Sequence, residues 1–293
     1  MRAVVSGVVV VLLVWAVLVA GLLVRERQFI FSPSRVLEAK PTDYGLNAEE
    51  LRVVSADGTA LHGWWIHGQG ERVLIWYQGN AGNISHRLET ARVFVERLGV
   101  DIVLVDYRGY GLSEGTPEET GLYVDGLAIY DATIRRGFDP ERLLLFGRSL
   151  GAAVAVEVAL NRPAAGLVLE TPFRSVRAMA RSMYPFVPSF LIRTRLDNEG
   201  KISQIRMPKL ILHGDRDNLV PISHGRTLFE LALPPKRFFA IPGASHNDTH
   251  VVDGRGYFEA WEQFLSETGL GSRSVRAGWP TPPPRGARPV DSG

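Results

Sequence analysis

Leu143-Leu144-Leu145-Phe146-Gly147-Arg148-Ser149-Leu150-Gly151-Ala152-Ala153-Val154-Ala155-Val156 is a short apolar run, a glycine-flanked turn and a second apolar run. Four apolar residues suit a strand buried on both faces. Residues 150–160, strongly apolar over three turns with Glu157 the one charged residue, suit a buried helix. The joint between them has to turn sharply, with glycines where side chains would clash. Such a turn lifts the Ser149 hydroxyl above the strand and sets it at the start of the helix. A strand leading directly into a helix is the building unit of a parallel sheet.

The same alternation extends in both directions. Residues 73–77, 101–105, 166–169, 209–212 and 237–241 are short apolar runs of strand length. Helical spacing fills 86–98, 118–136, 222–232 and 257–265, the second with Pro117 at its first turn and Gly137 past its end. Residues 51–55 and 60–67 flank Asp57-Gly58, a hairpin signal that adds an antiparallel edge. An α/β domain over 51–268 is predicted, with about eight mostly parallel strands and helices on both faces. Residues 173–205, interrupted by Pro185 and Pro188 and rich in bulky apolar residues, read as a small cap insertion. From Gly269 the chain turns to Gly, Ser, Arg and Pro, including Pro282-Pro283-Pro284, and a disordered tail over 269–293 is expected.

Between residues 3 and 24 Ser6 is the one polar side chain. As a helix this stretch covers about 33 Å, enough to cross a hydrocarbon layer. A cleaved signal peptide, with Val19-Ala20-Gly21 as its cleavage site, is the competing reading; the length favours an uncleaved anchor. Arg25, Arg27, Arg35 and Lys40 follow the span and favour a cytoplasmic domain, whereas a lone N-terminal span also serves as an export signal. Residues 25–50, broken by Pro33, Pro41 and Gly45, read as a connecting segment.

Composition narrows the chemistry. The 293 residues carry 33 Lys and Arg against 31 Asp and Glu, a net charge of +2, which gives no reason to expect a nucleic-acid partner. With no cysteine, thiol nucleophiles, thiolate zinc sites and disulfides are excluded. A serine nucleophile with base and acid partners needs no cofactor and no metal.

Gly-x-Ser-x-Gly occurs twice. Around Ser113 it sits inside a glycine-rich loop that runs into Thr116-Pro117, whereas around Ser149 it has the strand–turn–helix setting described above. Four histidines follow Ser149. His213 lies within an apolar run, His224 in a helical segment and His250 beyond the last loop. His246 lies in the loop after the run 237–241, at the end of a strand where such sheets gather their functional groups. It is the expected base. Asp215 and Asp217 both follow the run 209–212, and spacing alone separates them poorly as the acid; Asp248 is too close in sequence to His246. Backbone amides of Leu150 and of Asn80, in the glycine loop after 73–77, are the expected oxyanion donors.

With these residues placed, the chain resembles the α/β-hydrolase superfamily, in particular its membrane-anchored members related to serine aminopeptidase-like proteins. The likeness covers roughly residues 29–265. It rests on Phe-Ser-Pro-Ser at 31–34, Asp-Gly-Thr-Ala-Leu-His-Gly-Trp at 57–64, Gly-Asn-Ala-Gly-Asn at 79–83 and Asp-Tyr-Arg-Gly-Tyr-Gly-Leu-Ser-Glu-Gly at 106–115. Gly-Arg-Ser-Leu-Gly at 147–151, His-Gly-Asp-Arg-Asp-Asn-Leu-Val-Pro at 213–221 and Gly-Ala-Ser-His-Asn-Asp at 243–248 complete it. The resemblance implies Asp217 as the acid, a structural role for the stretch around Ser113, and an α/β-hydrolase fold. It departs from the family at Gln78, where relatives usually carry His, and a changed loop network is expected there. The implied activity is hydrolysis through a Ser149–His246–Asp217 triad, on ester or thioester bonds of lipophilic acyl substrates. A peptidase of the aminopeptidase type and a non-catalytic membrane-anchored binding protein are the alternatives.

Overall fold

A computed structural model describes residues 2–270. Eight strands form one sheet: β1 (Ala48–Val54), β2 (Ala60–Ile66), β3 (Val73–Tyr77), β4 (Asp101–Val105), β5 (Leu143–Arg148), β6 (Gly166–Glu170), β7 (Lys209–Gly214) and β8 (Lys236–Ile241). Across the sheet the order is β8-β7-β6-β5-β3-β4-β2-β1. β1 and β2 pair antiparallel, as do β2 and β4, and every other pairing is parallel. Parallel neighbours need a crossover, and helices supply it. Those of eight residues or more are α1 (Arg2–Val24), α2 (Leu88–Leu98), α3 (Glu119–Arg135), α4 (Leu150–Asn161), α5 (Val176–Met183), α6 (Ile222–Leu231) and α7 (Gly254–Leu265).

Both faces of the central strands are covered, so their sequences are apolar throughout rather than alternating. Val73, Ile75 and Tyr77 of β3 join Leu145, Leu167 and Ile211 in a core that includes α3 and α4. Leu74 and Trp76 join Phe146, Val168 and Leu212 under α2 and α7. There Phe94 lies 5.4 Å from Trp76 and 5.7 Å from Trp261, ring centre to ring centre, within the range of favourable aromatic pairs. All the parallel strands end on the same side, and the candidate site residues lie at those ends.

Several boundaries differ from the sequence reading. β1 begins at Ala48 because its register with β2 continues to Ile66, so the segment expected to connect over 25–50 already enters the sheet. That segment also holds a short helix, Glu26–Ile30, and Ser32–Pro33 pairs in parallel with Ala81–Gly82. α7 starts three residues early because Asp253 accepts the Gly256 amide and caps it. The excursion at 173–205 contains α5 and two shorter helical turns, Ser189–Leu191 and Glu199–Ile202. α1 contains a stretch, Val4–Val24, of mean hydropathy 3.0, long and apolar enough to cross a membrane, and 6% of it is buried against the rest of the chain. The tail expected over 269–293 lies outside the described residues from 271 onward.

Candidate active site

Ser149 stands between β5 and α4 with φ 53° and ψ −116°, a conformation that non-glycine residues rarely adopt. The surroundings hold it there. A Cβ on Gly151 would lie 1.9 Å from the Tyr77 carbonyl oxygen, and one on Gly147 would lie 2.5 Å from the Gly151 carbonyl oxygen. Side chains at either position would collide with backbone, so α4 packs this tightly on β3 and β5 only with both glycines. The Ser149 amide donates to the Glu170 carbonyl at 2.9 Å, tying the turn to the end of β6.

Three segments far apart in sequence meet at this turn. His246, in the loop after β8, has Nε2 3.1 Å from Ser149 Oγ and Nδ1 2.7 Å from Asp217 Oδ2. Asp217, in the loop after β7, accepts the amides of Leu219 and Val220 on Oδ1 at 2.9 and 2.8 Å. The three are 9%, 8% and 5% exposed, so the hydroxyl is reachable while the carboxylate is largely screened from water. Burial pushes the Asp217 carboxyl up, but hydrogen bonds from His213 and His246 and the Val220 amide hold it well below the usual carboxylate range. It is an anion throughout the neutral range, suited to fixing the Nδ1–H tautomer and leaving Nε2 free to take a proton.

The other candidates serve the scaffold. His213 is fully buried in β7, where Nε2 donates to the Val220 carbonyl at 2.8 Å. His224 Nδ1 accepts the Arg174 amide at 3.1 Å. Asp215 accepts the Gly243 amide at 2.7 Å and Asp248 the Ser245 amide at 2.6 Å, so both pin the loop that carries His246. Ser113 is buried, donates to the Asp106 carbonyl at 2.7 Å and accepts the His62 amide at 2.9 Å. It closes a turn. Of the two Gly-x-Ser-x-Gly matches, the one around Ser149 is in contact with an imidazole.

Of the expected oxyanion donors, Leu150 follows the serine directly and Asn80 follows Gly79 in the loop after β3. Leu150 is the first residue of α4, where the helix leaves amides unbonded. A Cβ at Gly79 would sit 3.7 Å from Ser149 Cβ, so the loop after β3 abuts Ser149. Asn80 is held on both sides: its Nδ2 donates to the Ile30 carbonyl at 3.2 Å, and its carbonyl accepts the Tyr110 hydroxyl at 2.8 Å. Gln78 Nε2 donates to Asp106 Oδ1 at 2.7 Å, which also accepts the Ile84 amide at 3.0 Å. Burial raises the Asp106 carboxyl to about 7. Gln78 thus ties the glycine loop to the Asp106–Gly115 turn.

One network was missed in the sequence. Arg148 Nε donates to Glu170 Oε1 at 2.9 Å, while its Nη2 donates to the His246 carbonyl at 2.7 Å and to Asn247 Oδ1 at 3.0 Å. The buried Glu170 also accepts the Thr249 hydroxyl at 2.8 Å and the Tyr257 hydroxyl at 2.5 Å. The signal was present, as a carboxylate ends the apolar run 166–169 and a guanidinium sits inside the elbow. Neither could be assigned a partner from spacing.

Comparison with known proteins agrees with this architecture. A family model described as serine aminopeptidase, S33, matches residues 74–201. The α/β-hydrolase domain-containing protein WAV2 of Arabidopsis thaliana is 32% identical over 277 residues, spanning 85% of this chain and 90% of that protein. The chain belongs to the α/β-hydrolase family. A second relative of this hydrolase is the Saccharomyces cerevisiae membrane protein YNL320W, 34% identical over 240 residues, 78% of this chain and 84% of that protein. The Pyrococcus furiosus esterase Pf2001 shares the hydrolase fold with a TM-score of 0.67 at 21% identity, over 81% of this chain and 97% of that one.

Proposed function

We propose that this hydrolase is a membrane-tethered serine hydrolase that cleaves carboxylic ester or thioester bonds of lipophilic acyl substrates. The observation that carries the reading is the imidazole of His246 set between the Ser149 hydroxyl and the Asp217 carboxylate at 3.1 and 2.7 Å. His246 Nε2 takes the hydroxyl proton as Ser149 Oγ attacks the substrate carbonyl carbon. The resulting oxyanion accepts hydrogen bonds from the amides of Leu150 and Asn80. As the tetrahedral species collapses, His246 returns the proton to the departing alcohol or thiol, leaving an acyl-serine. Water then attacks the acyl carbon, gives its proton to His246, and releases the carboxylic acid as Ser149 is reprotonated. Asp217 remains ionised throughout and stabilises the imidazolium.

The lipophilic substrate class is supported by the apolar α1 and by Met183, Phe186, Phe190 and Leu191, which the excursion at 173–205 leaves exposed. The name of the esterase Pf2001 favours esters, whereas the name of the matching family model favours amides and supplies the second reading, an aminopeptidase. A fluorophosphonate probe is expected to label the wild type and not Ser149→Ala. An unlabelled, folded wild type would exclude the serine mechanism. Turnover of p-nitrophenyl acyl esters of increasing chain length, measured against aminoacyl anilides, decides between the two bond classes.

A further inference from the structure

We propose that the cap loop spanning residues 183–191 is itself inserted in the lipid hydrocarbon, alongside α1. The inference follows from where α1 touches the rest of the chain. Its apolar stretch, Val4–Val24, covers about 31 Å, about the thickness of a hydrocarbon layer. The helix therefore has little spare length with which to slide outward. Arg25 and Arg27 mark its domain-side end. Trp15 lies nine positions inside that end, about 14 Å along the axis. At that depth its indole Nε1 donates to the Phe186 carbonyl at 3.0 Å. An indole N–H in hydrocarbon needs a partner, and the cap loop supplies it.

The loop has the chemistry that such a position demands. Phe190 is 73% exposed and Phe186 49%, with Met183 and Leu191 exposed beside them. In water these side chains form an unfavourable surface; in acyl chains they are solvated. Several backbone polar groups are tied up or absent. Tyr184 donates to the Ala180 carbonyl at 2.7 Å, Val187 to Tyr184 at 2.9 Å and Leu191 to Pro188 at 2.9 Å, while Pro185 and Pro188 carry no N–H. Arg177 turns back onto the Ile192 carbonyl at 2.9 Å, and Arg181 onto the Ser189 hydroxyl at 3.1 Å, so both guanidinium groups are hydrogen-bonded within the cap. On the domain side of the loop, Glu26 accepts the amides of Thr194 at 2.7 Å and Arg193 at 3.1 Å. That polar band begins where α1 ends.

Between the end of α1 and the cap lies an apolar pocket of about 90 Å³, lined by Leu22, Leu23, Phe29, Val176, Tyr184 and Val187 among others. Ile30 also lines it, and the Ile30 carbonyl is the one that holds Asn80. On the acyl-hydrolase reading above, on which this consequence rests, an acyl chain reaches the pocket from within the leaflet without crossing water.

The natural absence of cysteine makes the depth directly measurable. Phe190→Cys and Met183→Cys are labelled with an NBD fluorophore, with Glu141→Cys, at the opposite ends of the strands, as the aqueous reference. The full chain is reconstituted in vesicles of phosphatidylcholine and phosphatidylglycerol. Labels at 190 and 183 are expected to shift to the blue, to be quenched by lipids carrying a mid-chain doxyl group, and to be at least about fivefold less sensitive to iodide than the label at 141. Iodide quenching equal at all three sites, with no doxyl quenching at 190 or 183, overturns the proposal. Turnover of a water-soluble short-chain ester by the same labelled proteins tests the hydrolase reading separately, since it needs no contact between the loop and lipid.

Discussion

Replacing Asp217 by Asn tests the proposed chemistry without altering the shape of the site. Asp217 Oδ1 accepts two backbone amides, from Leu219 and Val220, while Oδ2 faces His246 Nδ1 at 2.7 Å. In the amide variant the two backbone donors retain the carbonyl oxygen, so the NH2 group turns towards His246. Nδ1 must then accept, and the ring proton moves to Nε2, 3.1 Å from the Ser149 hydroxyl. A protonated Nε2 cannot take the serine proton. Holding the wrong tautomer lowers kcat by about 10,000-fold in a triad of this geometry, or about 5 kcal/mol of barrier. The assay is ester turnover together with the rate of fluorophosphonate labelling, with a thermal melt to show that the variant is folded. A folded Asp217→Asn protein within about tenfold of wild type in both rates would refute the role given to Asp217. The sign of the pH effect follows from the lowered carboxyl. The stabilisation Asp217 provides is fully present above its unfolded value near 3.9 and is lost only as pH falls through the still lower folded value. Mild acid therefore leaves this carboxylate intact.

Three further outcomes are expected. Gly151→Ala drives a Cβ to within 1.9 Å of the Tyr77 carbonyl oxygen and should destabilise the domain by about 3 kcal/mol or more in chemical denaturation, with labelling at Ser149 lost. Arg148→Met releases the His246 loop from Glu170 and should lower kcat by about 10- to 100-fold with little change in KM; an equal loss carried by KM alone would contradict a positioning role. Asp106, whose carboxyl is raised to about 7 by burial, contributes stability that is fully present below about pH 4 and is lost as pH rises through 7. The wild-type Tm should accordingly fall relative to that of Asp106→Asn as pH rises across that range, and parallel Tm curves would show that the burial penalty is absent.

The parts of this fold that could be read in advance are those where local sequence and tertiary environment make the same demand. β3, β4 and β5 are buried on both faces, so all but their terminal residues are apolar or glycine regardless of register and stand out against the polar turns. The Ser149 elbow was legible because a tight approach excludes side chains at 147 and 151, which leaves glycines in the sequence. Asp215 and Asp217 were not separable by spacing, because both follow β7 and what distinguishes them is direction, one carboxylate turned to the Gly243 amide and the other to an imidazole. The Arg148–Glu170–Tyr257 network was invisible for a related reason. Its members lie on β5, β6 and α7, and nothing in a linear pattern states that the ends of these elements converge. The early start of β1 at Ala48 was likewise set by pairing with β2 rather than by local preference.

Tyr257 reaches Glu170 from the last long helix of the domain. The serine is made first and the imidazole nearly a hundred residues later, and the phenol that helps brace the imidazole's loop comes later still. On the proposed chemistry, a chain emerging from the ribosome lacks this brace on the imidazole's loop until the helix Gly254–Leu265 has docked.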